Sequence, residues 1–188
     1  MTKYHIYTDG ACSGNPGRGG WATIIMNEDE TAILDNFYDS EEHTTNNRME
    51  LKAMLCALQY ASDHPDSHCI IHSDSAYVVN SCNSWMRNWA SNGWRNSKKQ
   101  EVENIDLMKA LWGYLSRDFF NADIKKCSGH AGDTGNELAD ALATRNIARY
   151  KDIINHYDIL EPFDQPEEIR LFEFKQDLKL GDNWFPND

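Results

Sequence analysis

KYHIYTDGACSGNPGRGG, residues Lys3 to Gly20, is the stretch on which the fold turns. Tyr4 and Ile6 alternate with polar neighbours, the two-residue period of a strand with two different faces. The apolar run stops at Asp9-Gly10. Gly10, Gly14, Gly17, Gly19 and Gly20, with Asn15-Pro16, then predict a sharply turned loop. An acidic residue at the end of a strand beside such a loop suits a polar ligand, because ligands of open α/β sheets gather beyond the carboxyl ends of strands. Asp-Gly is also an ordinary turn dipeptide, so Asp9 taken alone leaves both readings open.

Working outward, Trp21 to Met26 (WATIIM) reads as a second strand, Asn27 to Glu30 as a turn, and Thr31 to Tyr38 as a third strand. Three adjacent strands joined by short turns predict an antiparallel meander. Thr44 to Ala61, TTNNRMELKAMLCALQYA, is the clearest helix, with Thr44, Thr45 and Asn46 as candidate caps. Met54, Ala57, Leu58 and Ala61 form one apolar stripe, and Glu50, one turn before Met54, projects from it. An inward carboxylate is costly unless something neutralises it; the alternative is a solvated Glu50 at the rim.

Cys69 to Ser73 predicts a short buried strand that ends at Asp74, repeating the strand-then-aspartate arrangement of Asp9. Two such aspartates on neighbouring strands would face and repel each other, and a shared divalent cation would remove that penalty. Asp74 serves equally well as a helix cap. From Trp85 to Lys99 the chain interleaves Trp85, Trp89 and Trp94 with Arg87, Arg95, Lys98 and Lys99 and contains no acid. Aromatic planes beside cations suit a nucleic-acid backbone; packed tryptophans under a solvated basic face give the same pattern.

Asn104 to Leu115 reads as a helix and Ala122 to Cys127 as a strand. His130 stands between glycines in Ser128–Gly132, exposed and able to carry a proton near neutral pH; an idle surface histidine is the other reading. Gly135 to Arg149 reads as one helix with Asn136, Asp140, Ala143 and Ile147 on a common face. This sets a domain at residues 1–149. Residues 150–188 read as an acidic extension of unassigned role: residues 151–188 hold ten acids against four bases, yet with too many apolar residues to be disordered by composition. Its apolar residues would pack on the domain, and acid laid near a polyanion's path would temper affinity for it.

The whole chain of 188 residues carries a net charge of −12, which opposes non-specific nucleic-acid binding unless a local basic patch or bound cations intervene. Five scattered cysteines, Cys12, Cys56, Cys69, Cys82 and Cys127, form no CxxC pair and predict reduced thiols in a cytoplasmic protein. No signal peptide is visible, and no apolar run approaches the ~20 residues of a membrane span.

Asp9, Glu50, Asp74 and Asp140 thus fall at strand ends or on inward helical faces. Oxygen ligands without thiols or paired imidazoles suit Mg²⁺ or Mn²⁺. Two such ions about 4 Å apart are a recurrent device for phosphodiester cleavage. Together with this set, YTDGACSGNPGRGGW (Tyr7–Trp21), TTNNRMEL (Thr44–Leu51), SDSAYV (Ser73–Val78), the tryptophan-and-base segment, GHAG (Gly129–Gly132) and NELAD (Asn136–Asp140) resemble type 1 ribonuclease H, which cuts the RNA strand of RNA–DNA hybrids. The resemblance covers about residues 3–148.

It implies an α/β, ribonuclease H-like fold, a five-stranded mixed sheet with helices on both faces. It implies two Mg²⁺ ions, replaceable by Mn²⁺, on Asp9, Glu50, Asp74 and Asp140, with His130 aiding product or proton departure and 5′-phosphate and 3′-hydroxyl ends. RNA 2′-hydroxyl contacts are implied for Cys12, Asn15, Asn46 and Asn47, a DNA-phosphate pocket for Thr45 and Asn104, and a DNA-gripping protrusion for Trp85, Trp89 and Trp94. The substrate would be an RNA–DNA hybrid, met by a monomer without a membrane partner. Ala76 and Ser128 depart from the family, where glutamine and lysine are frequent, and weaken two substrate contacts. No hybrid-binding module precedes Lys3, as in the compact bacterial form. A hybrid-binding protein with an unused site and a DNA-cutting relative remain as rivals; the asparagines of TTNNRMEL disfavour the second.

Overall fold

The structure, a computed structural model, describes residues 1–128 and 133–161 and the backbone of 170–171. Its centre is β1 (Thr2–Ser13), which runs antiparallel to β2 (Gly17–Met26), with Ile6 opposite Ile25. On its other side β1 runs parallel to β4 (Ser67–Ser73), the shared ladder ending at Thr8 opposite Ser73. β3 (Ile33–Thr44) completes the antiparallel meander and β5 (Ala122–Lys126) extends the parallel side. The five-stranded mixed sheet has the order β5-β4-β1-β2-β3, and a two-residue β6 (Arg170–Leu171) lies parallel to β3 at its edge.

Alternation along the strands sorts the core into two layers. Ile6, Ile25 and Ile71 bury against Met54 and Leu58 of α1 (Asn46–Asp63) and Met108 and Leu111 of α4 (Ile105–Leu115). Tyr7, Ile24 and Met26 point the other way, against Leu138 and Leu142 of α5 (Thr134–Ala143) and Tyr150 and Ile153 of α6 (Ile147–Tyr157). Each fully buried large apolar side chain contributes about 1.5–3 kcal/mol, so both layers hold the sheet. Between β4 and α4, α2 (Ala76–Asn80) leads through a wide π turn (Ser81–Trp85) into α3 (Met86–Ser91).

Three expectations are corrected. β1 does not stop at Asp9-Gly10: pairing with β2 carries it on to Ser13 opposite Arg18, and only its ladder with β4 ends before Asp9. β2 starts inside the glycine segment, at Gly17, and β3 runs on to Thr44. The single helix expected over Gly135–Arg149 is two. Thr144 Oγ1 caps back onto the Asp140 carbonyl at 2.8 Å, Arg145 turns left-handed with φ 58°, and the Asn146 side chain accepts from Arg149 N to start α6. Ile147 therefore leaves the face of Asp140. The apolar residues expected to pack on the domain after the composition shift do so within α6, where Tyr150, Ile153 and Ile154 are buried in the second core layer. Most of the acidic extension, residues 162–169 and 172–188, lies outside the described residues, as does His130.

Candidate active site

The register of the sheet brings two aspartates together. Thr8 and Ser73 are the last partners of the β1–β4 ladder, so Asp9 and Asp74 come next on adjacent strands. The alternative role for Asp74 is filled by its neighbour: Ser75 Oγ accepts from Val78 N at 3.2 Å and caps α2. Glu50 arrives from α1. A Cβ on Gly10 would lie 2.3 Å from Glu50 N and 2.5 Å from the Met49 carbonyl carbon, so β1 and α1 touch where only a hydrogen fits. Glu50 is 5 % exposed and Asp9 4 %, against the rim position left open for Glu50.

One carboxylate oxygen each of Asp9, Glu50 and Asp74 lies within 4.8 Å of the others. Asp140, on α5, lines the same cleft of about 470 Å³, with Cys12, Asn46 and Ser75. Burial, then the charge of Asp74, pushes the Asp9 carboxyl well above the usual carboxylate range. Burial, then the charge of Asp9, does the same to Glu50. Asp74, half-buried, is raised by burial and by Asp140. Glu50 Oε2 is buried without a hydrogen-bond partner among the described residues. Hard oxygen donors, mutual repulsion and an orphaned buried oxygen together fit divalent cations.

Among the described residues, Asp140 alone of the four pairs with a cation. Arg149 Nη1 is paired with Asp140 Oδ2. In an unbroken helix nine residues would separate the two by about 13 Å along the axis; the reversal between α5 and α6 closes that gap. This partner was not legible, because the helix break was not.

The other expected site residues fall around the cleft. Cys12 borders it, its thiol directed to the Gly14 carbonyl at 3.2 Å. Asn15 Oδ1 accepts from Asn46 N at 2.9 Å, tying the β1–β2 turn to the start of α1. Asn46 and Asn47 are exposed there. Thr45 caps α1 by accepting from Arg48 N at 3.3 Å. Asn104, left-handed at φ 55°, accepts from Arg48 Nη1 at 3.4 Å and donates to the Tyr77 hydroxyl at 3.1 Å. Arg48, which sequence reasoning passed over inside TTNNRMEL, thus joins Thr45 to Asn104 and is itself held by both oxygens of Asp106, at 3.0 and 2.8 Å. Trp85 is exposed and 5.9 Å from Trp89, while Trp89 and Trp94 pack on the first core layer. Arg87, Arg95, Lys98 and Lys99 are all exposed, which is the solvated basic face over packed tryptophans.

The RNase H family profile matches residues 1–148, which include all four carboxylates. The chain is similar to a ribonuclease H of Alcanivorax borkumensis, 42 % identical over 151 residues, covering 80 % of this chain and 95 % of that protein. It is also similar to one of Jannaschia sp., 46 % identical over 153 residues, with 80 % and 95 % covered. Among solved structures, LC9-RNase H1, a type 1 RNase H, superposes with a TM-score of 0.66 at 24 % identity, over 90 % of this chain and 92 % of that one, and supports the fold. A profile spanning most of the chain, relatives matched along nearly their whole length, and an acidic cleft built where that profile lies lead to one conclusion: the chain belongs to the RNase H family of nucleases.

Proposed function

We propose that the protein hydrolyses the RNA strand of RNA–DNA hybrids with two Mg²⁺ ions, replaceable by Mn²⁺, leaving 5′-phosphate and 3′-hydroxyl ends. The observation that carries this is the meeting of Asp9, Glu50 and Asp74 within 4.8 Å, with Asp140 on the same cleft. These four carboxylates would hold the ions. The chemistry they would supply there is activation of a water and charge compensation at the cleaved phosphate. The protein's own groups then have distinct tasks. Buried Asp9 and Glu50 fix the donors on two rigid elements, and Arg149 orients Asp140 from α6. Cys12, Asn15, Asn46 and Asn47 lie where the 2′-hydroxyls that distinguish RNA from DNA would pass. Thr45 and Asn104, joined by Arg48, offer the DNA strand a phosphate seat. The exposed bases around Trp85, Trp89 and Trp94 grip that strand further along. His130 serves proton or product departure. The enzyme would act as a monomer in the cytoplasm, where its five free cysteines would stay reduced. Among the described residues no helix is long and apolar enough to cross a membrane.

Labelled RNA–DNA, DNA–DNA and RNA–RNA duplexes incubated with Mg²⁺ test the proposal. Only the hybrid is expected to be cut, on its RNA strand. Asp9→Asn and Asp74→Asn are expected to reduce cleavage to background while hybrid binding persists. Cutting of duplex DNA, or undiminished cleavage by either variant, would refute it.

A further inference from the structure

On the other side of Cys12 from the carboxylate cleft lies a second hollow of about 460 Å³. The two share Ala11 and Cys12. The hollow is floored by β2 and the end of α5, which touch: a Cβ on Gly20 would stand 2.5 Å from the Ala143 carbonyl oxygen. Its lining includes two guanidinium-bearing residues, Arg18 from β2 and Arg145 from the turn between α5 and α6. Among the described residues it has no acidic lining residue, whereas the neighbouring cleft has four.

Arg145 is held in place. Its φ of 58° is the left-handed conformation that favours glycine or asparagine and strains other residues. One of its five donors, on Nη2, goes to Ser40 Oγ at 2.6 Å, and the guanidinium carbon lies 5.6 Å over the Tyr38 ring. Arg18 is only loosely engaged, 3.8 Å from Glu42 with both side chains mostly in solvent. So exposed a pair contributes little, and Arg18 exchanges partners readily. A planar guanidinium with donors to spare matches phosphate oxygens.

We propose that Arg145 and Arg18 form a phosphate-holding subsite for the strand being cut, beside the carboxylates. The proposal rests on the ribonuclease reading above. A strand whose reacting phosphate lies at Asp9 continues past Ala11 and Cys12 into this hollow, and there its next phosphates leave four acids for two bases. In a chain of net charge −12 such a local reversal is what a polyanion needs to settle.

Arg145→Asn and Arg18→Gln, singly and together, test it; asparagine tolerates the left-handed turn, and melting curves verify folding. Hybrid binding is measured against salt in the Asp9→Asn background, and kcat and KM in the active protein. Each substitution is expected to weaken binding several-fold and to flatten the slope of log K against log salt by about 0.7–0.9 for every phosphate no longer neutralised. KM should rise with kcat nearly constant, and Arg145→Lys should restore part of the affinity. Arg117→Gln, just after α4 and bonded to Ser62 near the C-terminal end of α1, should change nothing. A single uncharged methylphosphonate in the RNA strand beside the cut should weaken the wild type but not Arg145→Asn further. Unchanged KM and salt slope in an active enzyme overturn the subsite alone, as does coupling to a DNA-strand phosphate. A wild type that cuts no hybrid overturns the ribonuclease reading and the subsite with it.

Discussion

At the scale of single residues, the site is a set of carboxylates kept in an unfavourable place. Asp9 and Glu50 are buried and raised above the carboxylate range, and Asp74 is raised with them. Without metal, the folded protein retains protons there that the unfolded chain releases near pH 4. The folded state thus binds more protons across this window. Linkage makes the stability these groups contribute complete below about pH 4 and progressively lost as pH rises through about 8 for Asp9 and about 10 for Glu50. Saturating Mg²⁺ requires ionised ligands, so its stabilising effect is expected to grow over the same range. Melting temperatures in chelator and in Mg²⁺, from about pH 5 to 9, check both: the gap should widen with pH, and a constant gap would contradict the assignment. Much of this was legible from residue type and spacing. Glu50 announced itself by lying one turn before Met54 on an apolar stripe, and it is buried as that spacing implies. The choice between ligand and cap at Asp74 needed the structure, because only there does Ser75 take the cap.

At the scale of elements, Gly10 sets the geometry. Its sequence context suggests a turn, yet it lies within β1 at the crossing with α1. Gly10→Ala would force the two apart, since the atoms in the way are backbone. Overpacking of this kind costs typically about 1–3 kcal/mol, and here it also separates Glu50 from Asp9. The variant is expected to melt several degrees lower and to bind Mg²⁺ more weakly, by calorimetry; wild-type metal affinity would contradict the crossing's role. Periodicity found most strands and helices because two-faced burial writes itself into the sequence. It missed the break at Thr144–Asn146, where no glycine or proline marks the end of α5. There a threonine, an arginine in a left-handed turn and a capping asparagine do the work instead. Arg149 and Arg145 owe their positions to that break, so neither was visible in one dimension.

At the scale of the whole molecule, the packed structure outlasts the change in composition at residue 150. Tyr150, Ile153, Ile154 and Ile159 are buried in the second core layer, and the Tyr150 hydroxyl donates to Glu161 Oε2 at 2.9 Å. Ending the chain after Arg149 is therefore expected to cost most of the stability, at about 1.5–3 kcal/mol for each large side chain removed. Ending it after Glu161 should preserve the fold. Urea unfolding of the two truncations decides the matter, and equal stability would contradict the packing of α6. Any influence of the acidic extension on affinity has to be sought with the longer of them. One feature of the sheet ties chemistry to correct assembly. Asp9 and Asp74 both follow the last rung shared by β1 and β4, and neighbouring residues of a strand face opposite ways. A chain that mispaired these strands by a single step would turn one acid to the far side of the sheet and offer threonine, serine or glycine in its stead. Turnover is thereby reserved for molecules that aligned the ladder correctly, and an assay of activity doubles as a proofreader of strand alignment.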